Sequence, residues 1–526
     1  MPAATDARRT PPHGRSHFPI EGEGPAARAA AAAEAPEFRF SRMGPAGPAP
    51  LPAGMRKRIA GAMIGTPGHP SRVPAGYTYL GQFVDHDLTF DKTVVTLGDQ
   101  VSPAHLLQGR SPTLDLDSLY GAGPGDPVSA EFYADDRHLK VGKTVRTPPD
   151  AARVGFDLAR TGTAETGPNR RRALIPDPRN DENLAVAQHH LAMIRFHNRV
   201  ADTLGPATPA NERFARARRL VVLHYQWMLR TDYLRRICDR AVVDDVFANG
   251  RKVFEVGASP FAMPTMPVEF SVAAFRLGHS MIRRSYDWNV RFPDNAGTLD
   301  LLFTFSGTSG VLGGGDRALP SNWIADWRRL YSFSSVGRPD LKPPPGAITN
   351  LARGIDTVLA EPLESLPPGS FDGTDADFGT IQANLAFRNL TRAGMVRLAS
   401  GQQMVNRLKN KGVPVTKLTA TQLIEGEGGA VLTGLSATQR RRFLDETPLW
   451  FYILREAELN GGKLTGVGAR IVAETFHRAM EGSTFSIVRN SEFRPRLGAV
   501  SNRFTMADLL LFAFDGNSSL LAPLGD

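Results

Sequence analysis

Cysteine is almost missing from this chain: Cys238 is the only one in 526 residues. An intrachain disulfide is therefore excluded, and nothing in the fold depends on an oxidising compartment. Long apolar runs are missing too, with no stretch approaching the roughly 18 consecutive hydrophobic residues that would mark a membrane-spanning helix. Strict apolar–polar alternation is scarce, so little β-structure is expected. No internal repeat is visible. Residues 1–35 hold almost no large apolar side chains and read as a disordered tail, since they cannot bury enough surface to offset chain entropy. Within them, Arg8-Arg9 and the alanines Ala29–Ala33 lack the hydrophobic segment that an export signal needs. Cytoplasmic location is the default expectation that remains.

What is present is ordinary globular usage, 41% hydrophobic and 22% charged. The net charge of +9 makes a mildly basic surface. Nucleic-acid binding would rest on that charge alone, because no interleaving of aromatic and basic residues supports it. From Phe38 onward helical periodicity dominates. Leu184, Ala187, Leu191, Ile194, Asn198 and Ala201 mark one helix face, and Val272, Phe275, His279 and Ile282 another. Further helices are expected through 217–237 and 380–398. Gly/Pro-rich connectors at 44–54, 307–322, 337–349 and 362–379 read as long surface loops. Candidate site residues lie on both sides of several connectors, so residues 36–526 are expected to form one large, mainly α domain.

Two clusters carry chemistry. In the segment Gly76–Asp91, Gln82, Asp85 and His86 are spaced i, i+3, i+4 and would share a helix face, while Asp87 points elsewhere. A polar helix end and a divalent-metal site both fit this pattern. In Ser111–Gly121, Asp115 and Asp117 stand two apart among hydroxyls. That loop suits either an acidic turn or a hard cation such as calcium, though the spacing is not that of an EF-hand. His189, His190 and His197 have no acidic or cysteine partners spaced for chelation and read as helix residues. His224–Trp227 reads as core packing.

Together the clusters resemble the animal-type haem peroxidases of the peroxidase–cyclooxygenase superfamily, and their bacterial members most of all. The resemblance continues in Asp177-Pro-Arg-Asn-Asp-Glu-Asn183, Ala274-Phe-Arg-Leu-Gly-His279, Leu385–Arg392 and Thr447–Glu456, in the family's order and over roughly residues 38–500. It implies a single large helical, myeloperoxidase-like domain around haem b. His279 would be the proximal iron ligand, with Asn389 accepting its ring N–H. His86 would move the peroxide proton, Arg179 would stabilise charge as the O–O bond breaks, and Gln82 would bind distal water or halide. The resulting ferryl haem would oxidise a halide, a pseudohalide or a phenol. Asp85 and Glu182 match carboxylates that are ester-linked to haem in mammalian members. Asn183 stands where one such member has a methionine bonded to a haem vinyl group, a link that asparagine cannot form. Arg276 matches a partner of a haem propionate, and Arg392 is a further cofactor-binding candidate. Asp87, Ser111, the Thr113 carbonyl, Asp115 and Asp117 would hold calcium beside the distal histidine.

The rival inside the superfamily is a fatty-acid dioxygenase, which uses a tyrosyl radical one helical turn before the proximal histidine. Arg276 occupies that position here, so such a radical would have to sit elsewhere, for instance at Tyr225 or Tyr286. A haem-binding protein without catalysis is the rival of a different class. No residue in the sequence names the electron donor, and hydrogen peroxide with a small donor are the partners that the resemblance implies.

Overall fold

The computed structural model describes residues 38–66, 68–93, 95–147, 155–161, 171–307, 318–366 and 379–526. The expected tail at 1–35 lies outside them, as do most of the 307–322 and 362–379 connectors. Strands are short and peripheral. Phe38–Ser41 pairs antiparallel with Leu107–Gln108 and parallel with Met266–Pro267, and Pro70–Pro74 pairs antiparallel with Leu351–Arg353. Two more short antiparallel pairs join Val141–Lys143 to Phe156–Leu158 and Ser285–Tyr286 to Gly297–Thr298, and apart from isolated bridges the other described residues are helix and loop, as the periodicity predicts.

The centre is built on the helix Leu184–Thr203, which packs against Gly76–Leu88, Ala210–Met228 and Met506–Ala513. Of its expected face, Leu184, Ala187, Leu191, Ile194 and Ala201 are all under 3% exposed, while Asn198 is half-buried. Asn183 starts this helix by accepting the Val186 N–H at 2.9 Å, satisfying a donor that the first turn leaves orphaned. Asn384 does the same for Leu385–Met395, taking the Phe387 N–H at 2.9 Å. The helix expected through 217–237 is α-helical from Ala210 to Met228, widens into a π-turn over Leu229–Tyr233, and resumes over Leu234–Ile237.

The helix expected around Val272–Ile282 is not continuous. Val268–Ser271 is helical, Ala273 leaves helical geometry, and Ala274–Leu277 forms a 3-10 turn before Gly278–Met281. The break lets Phe275 fold back onto Phe270, with ring centroids 4.6 Å apart and planes 13° from parallel. Aromatic stacking and burial offset the lost helical hydrogen bonds there. His279 therefore stands in a short turn rather than in an apolar stripe, half-buried.

Helix Gly76–Leu88 crosses the core so closely that its glycines are functional spacers. A Cβ at Gly76 would run into the Tyr331 ring, and one at Gly81 into the Tyr233 hydroxyl. Each of these contacts sets what surrounds the site.

Candidate active site

A cleft of about 1190 Å³, part of it open to solvent, lies between helix Gly76–Leu88, the turn at 178–183 and the short turn carrying His279. Gln82, Asp85, His86, Arg179, Glu182, Arg276 and His279 all line it, so the structure brings these sequence candidates together. Phe275, Met281, Ile282, Leu299, Phe303 and Leu385 supply apolar wall.

On one side, His86 is 6% exposed and its Nδ1 lies 2.9 Å from Asn180 Oδ1. An amide oxygen can only accept, so Nδ1 carries the proton and Nε2 keeps its lone pair. That Nε2 stands 3.7 Å from Glu182 Oε1. Arg179 is no surface side chain, at 3% exposure. Its Nη2 donates to the His86 and Thr89 carbonyls at 3.0 and 2.7 Å, and it grips Asp177 through Nε and Nη2 at 3.1 and 2.8 Å. Arg110 grips the same carboxylate at 3.0 and 2.7 Å. Burial works against charge on Asp177, yet Arg179 and Arg110 hold its carboxyl well below the usual range. Asp177 also caps its own turn, accepting the Arg179 N–H at 3.0 Å. Gln82 donates to Glu182 and accepts from Asn183 Nδ2 at 3.0 Å, so both ends of its amide are engaged by protein. Asp85 is half-buried and accepts from the Thr89 hydroxyl at 3.3 Å.

On the other side, His279 Nδ1 lies 2.9 Å from Asn389 Nδ2. The expected direction of that bond is reversed. Arg276 Nη1 approaches Asn389 Oδ1 at 2.5 Å, and a guanidinium brings only donors, so the amide oxygen must face it. The amide NH₂ is left to donate to His279. Arg276 also donates from Nε to the Ser271 carbonyl at 3.2 Å. Arg392 is not brought to the cleft: it is 1% exposed and ion-paired with buried Asp91. A short buried ion pair, rather than a cofactor, takes its charge.

Asp87 faces away from the cleft and accepts from the Ser118 amide and hydroxyl at 3.3 and 3.0 Å. Its other carboxylate oxygen is buried and makes no close hydrogen bond, although the carboxylate also interacts with the buried Tyr225 hydroxyl. Burial and then the Asp117 charge push its pKa up to about 8. Ser111 bonds Thr113 at 2.8 Å and donates to Asp117, while Asp115 accepts from Thr113 at 3.0 Å and from the Thr484 amide at 2.9 Å. The five expected calcium residues are thus neighbours, and a crowded, partly orphaned set of carboxylate and hydroxyl oxygens suits a hard cation. Among the described residues, however, no three His, Cys, Asp or Glu side chains are close enough to hold a metal by themselves. His189, His190 and His197 lie buried on the central helix.

Asn180 and Asp177 are the positioning residues that the sequence reading missed. Both stand inside the quoted motif, and the signal was their adjacency to Arg179. Tyr79 and Tyr233 also line the cleft and carried no sequence signal.

The sequence pattern of the Animal haem peroxidase family matches residues 89–309. That segment contains Arg179, Glu182, Arg276, His279 and the 111–117 loop, but not His86 or Asn389. Rat thyroid peroxidase is 27% identical over 187 residues, covering 34% of this chain and 20% of that protein. A peroxidase-like protein of Margaritifera margaritifera is 30% identical over 115 residues, covering 21% and 14%. The match thus spans a fifth or less of these curated relatives. Among solved structures, Dictyostelium discoideum peroxidase A aligns over 94% of this chain and 93% of its own, with a TM-score of 0.51 at 15% identity. The fatty acid alpha-dioxygenase of Oryza sativa aligns over 96% and 86%, with a TM-score of 0.52 at 11% identity. Over residues 89–309, less than half of the chain, the sequence is similar to the Animal haem peroxidase family, and along nearly the whole chain the mainly helical fold is like that of Dictyostelium peroxidase A.

Proposed function

We propose that the chain is a haem-dependent peroxidase that uses hydrogen peroxide to oxidise a small donor, a halide, pseudohalide or phenol. The observation that carries this reading is the pair of imidazoles, His86 and His279, lining one largely apolar cleft from separate elements, each held by an asparagine. The residues fit haem b: one imidazole to hold the iron, an apolar wall for the ring, and an arginine for a propionate. When bound, haem would supply the iron that takes up the oxidising equivalents of peroxide.

His279 would hold the iron through Nε2, which requires the ring proton on Nδ1. Asn389 must then turn its amide over so that Oδ1 accepts this proton. Arg276 is freed by the same turn to pair with a propionate carboxylate. His86, with its lone pair on Nε2, would take a proton from peroxide and return it to the leaving oxygen. Arg179, fixed by Asp177 and two carbonyls, would place positive charge where the O–O bond opens. Gln82 and Glu182 would order solvent beside His86. Asp85 and Glu182 are the candidates for ester links. Calcium held by Asp87, Ser111, Thr113, Asp115 and Asp117 would fix the residue next to His86.

The test is an absorption spectrum of the haem-loaded protein before and after peroxide. A Soret band that shifts with peroxide is the expected result; an indifferent band would overturn the reading. Haem that resists acid–organic extraction would support the ester links. The apolar wall of Leu299, Phe303 and Leu385 favours one second reading, oxygenation of an acyl chain. Oxygen consumption with a fatty acid, absent with phenols, would select it.

A further inference from the structure

All nine tyrosines are buried, none more than 5% exposed. Tyr79 lines the cleft and starts a chain of rings leading away from it. His189 lies 6.3 Å from Tyr79 between centroids, Trp327 lies 5.1 Å from His189, and Phe514 lies 6.1 Å from Trp327. Tyr331 sits beside His189, with its hydroxyl 2.7 Å from Nε2. His189 Nδ1 is 2.7 Å from the Ala185 carbonyl, which can only accept. The proton is therefore on Nδ1, and the Tyr331 O–H donates into the lone pair of Nε2.

We propose that Tyr331 and His189 form a redox-active pair that gives one electron, by way of Tyr79, to an oxidised group in the cleft. The inference rests on the peroxidase reading, with hydrogen peroxide as the oxidant. As the electron leaves, the Tyr331 O–H bond breaks and an N–H bond forms at His189 Nε2. A neutral phenoxyl radical and an imidazolium result, and the group in the cleft is reduced by one electron. A phenolic donor returns an electron to Tyr331, and His189 returns the proton.

The chemistry favours this tyrosine over its neighbours. Burial keeps the Tyr331 phenol protonated at any working pH, so its oxidation needs a nearby proton acceptor. The buried His189 ring is neutral, its pKa pushed down to about 4, and the Gly76 carbonyl favours the protonated form. An oxidised phenol is acidic enough to protonate such a ring. The Tyr79 hydroxyl, by contrast, donates only to another phenol, Tyr286, at 2.8 Å. The Tyr77 hydroxyl donates to Asp232 at 2.6 Å, but that carboxylate is already paired with Arg236 at 2.7 Å. Tyr120 repeats the motif, 2.9 Å from His197 Nδ1, yet among the described residues no ring contact joins it to Tyr79. It is an internal control.

The haem-loaded chain, with ring-deuterated tyrosine to identify the signal, is mixed with hydrogen peroxide, freeze-quenched and read by electron paramagnetic resonance. A tyrosyl signal is expected in the parent and in Tyr120→Phe, and its loss in Tyr331→Phe. His189→Leu, which removes the hydrogen bond to the phenoxyl oxygen, is expected to raise the g1 value. A signal undiminished in Tyr331→Phe overturns the proposal. A Soret band indifferent to peroxide would defeat the peroxidase reading instead. The pair is then read on the haem-free chain oxidised by azidyl radicals, where Tyr331→Phe should lower the phenoxyl absorption most. Equal loss in Tyr120→Phe would overturn it.

Discussion

His86 and His279 both need the proton on Nδ1 and the lone pair on Nε2, and their asparagines decide whether they get it. Asn180 presents an oxygen to His86, which puts the ring proton on Nδ1 and leaves the lone pair on Nε2. His86→Ala should leave haem bound but slow the reaction with peroxide by about 100-fold or more, as loss of a general acid–base group does. Stopped-flow spectra of the Soret band would measure it, and an unchanged rate would reassign the proton shuttle. Asn389 faces a conflict, because Arg276 claims its oxygen. Asn389→Asp resolves the conflict, since a carboxylate accepts from both. That variant should keep iron bound and shift the ferric/ferrous potential to more negative values, because a stronger acceptor increases electron density on the ring. A redox titration that finds no shift would mean Asn389 does not act through His279. His86, His279, Arg276 and Asn389 were singled out from short motifs, whereas Asn180 was passed over although it stands inside one. The amide direction was not legible, because it is set by a guanidinium on another element, and no local pattern carries that.

Periodicity predicted the central helix Leu184–Thr203 almost to its ends, since one buried stripe and a capping asparagine act within a few residues of chain. It failed at Val272–Ile282, where the stacking of Phe270 and Phe275 broke a helix that local pattern favoured. The central helix also makes a prediction about acid. Burial pushes the pKa of His189 and His197 down from 6.5 to about 4, and that of His190 to about 3. Unfolded, these rings take up protons near pH 6.5; folded, they stay neutral well below it. The unfolded state thus binds more protons in that window, so their contribution is complete above pH 6.5 and is lost as pH falls toward 4. At about 1.4 kcal/mol per pKa unit, His189 and His197 each contribute roughly 3 kcal/mol to that loss, and His190 more. Thermal melts should show Tm falling steeply across this interval, and His190→Leu, which removes a ring with no protein hydrogen bond, should flatten the fall. At the start of the helix, Asn183→Ala should cost about 1 kcal/mol from the lost cap. It would also release Gln82 from one of its anchors, so donor oxidation should change as well as stability.

The molecule as a whole is tied together by contacts between distant parts of the chain. Asp115 accepts the Thr484 amide, and Ser118 next to the 111–117 loop holds Asp87. A calcium ion there would join the distal helix, this loop and the C-terminal region. Verified removal of calcium should lower Tm and activity together, by up to about 3 kcal/mol if the ion is normally present at a hundred times its dissociation constant. A melt unaffected by chelation would count against the ion. The sequence made this cluster visible as acids and hydroxyls in one loop, but its closure by Thr484 was out of reach, since hundreds of residues separate the partners.

The burial of every tyrosine has an outward consequence. A catalyst that releases oxidised halides or phenoxyl radicals bathes its own surface in them, and exposed phenols would be iodinated or coupled into dityrosine bridges between neighbouring molecules. This surface offers no such phenol. Acting as the proposed peroxidase, the native protein should therefore stay free of iodotyrosine and of dityrosine bridges in oxidant concentrations that crosslink tyrosine-bearing proteins added beside it.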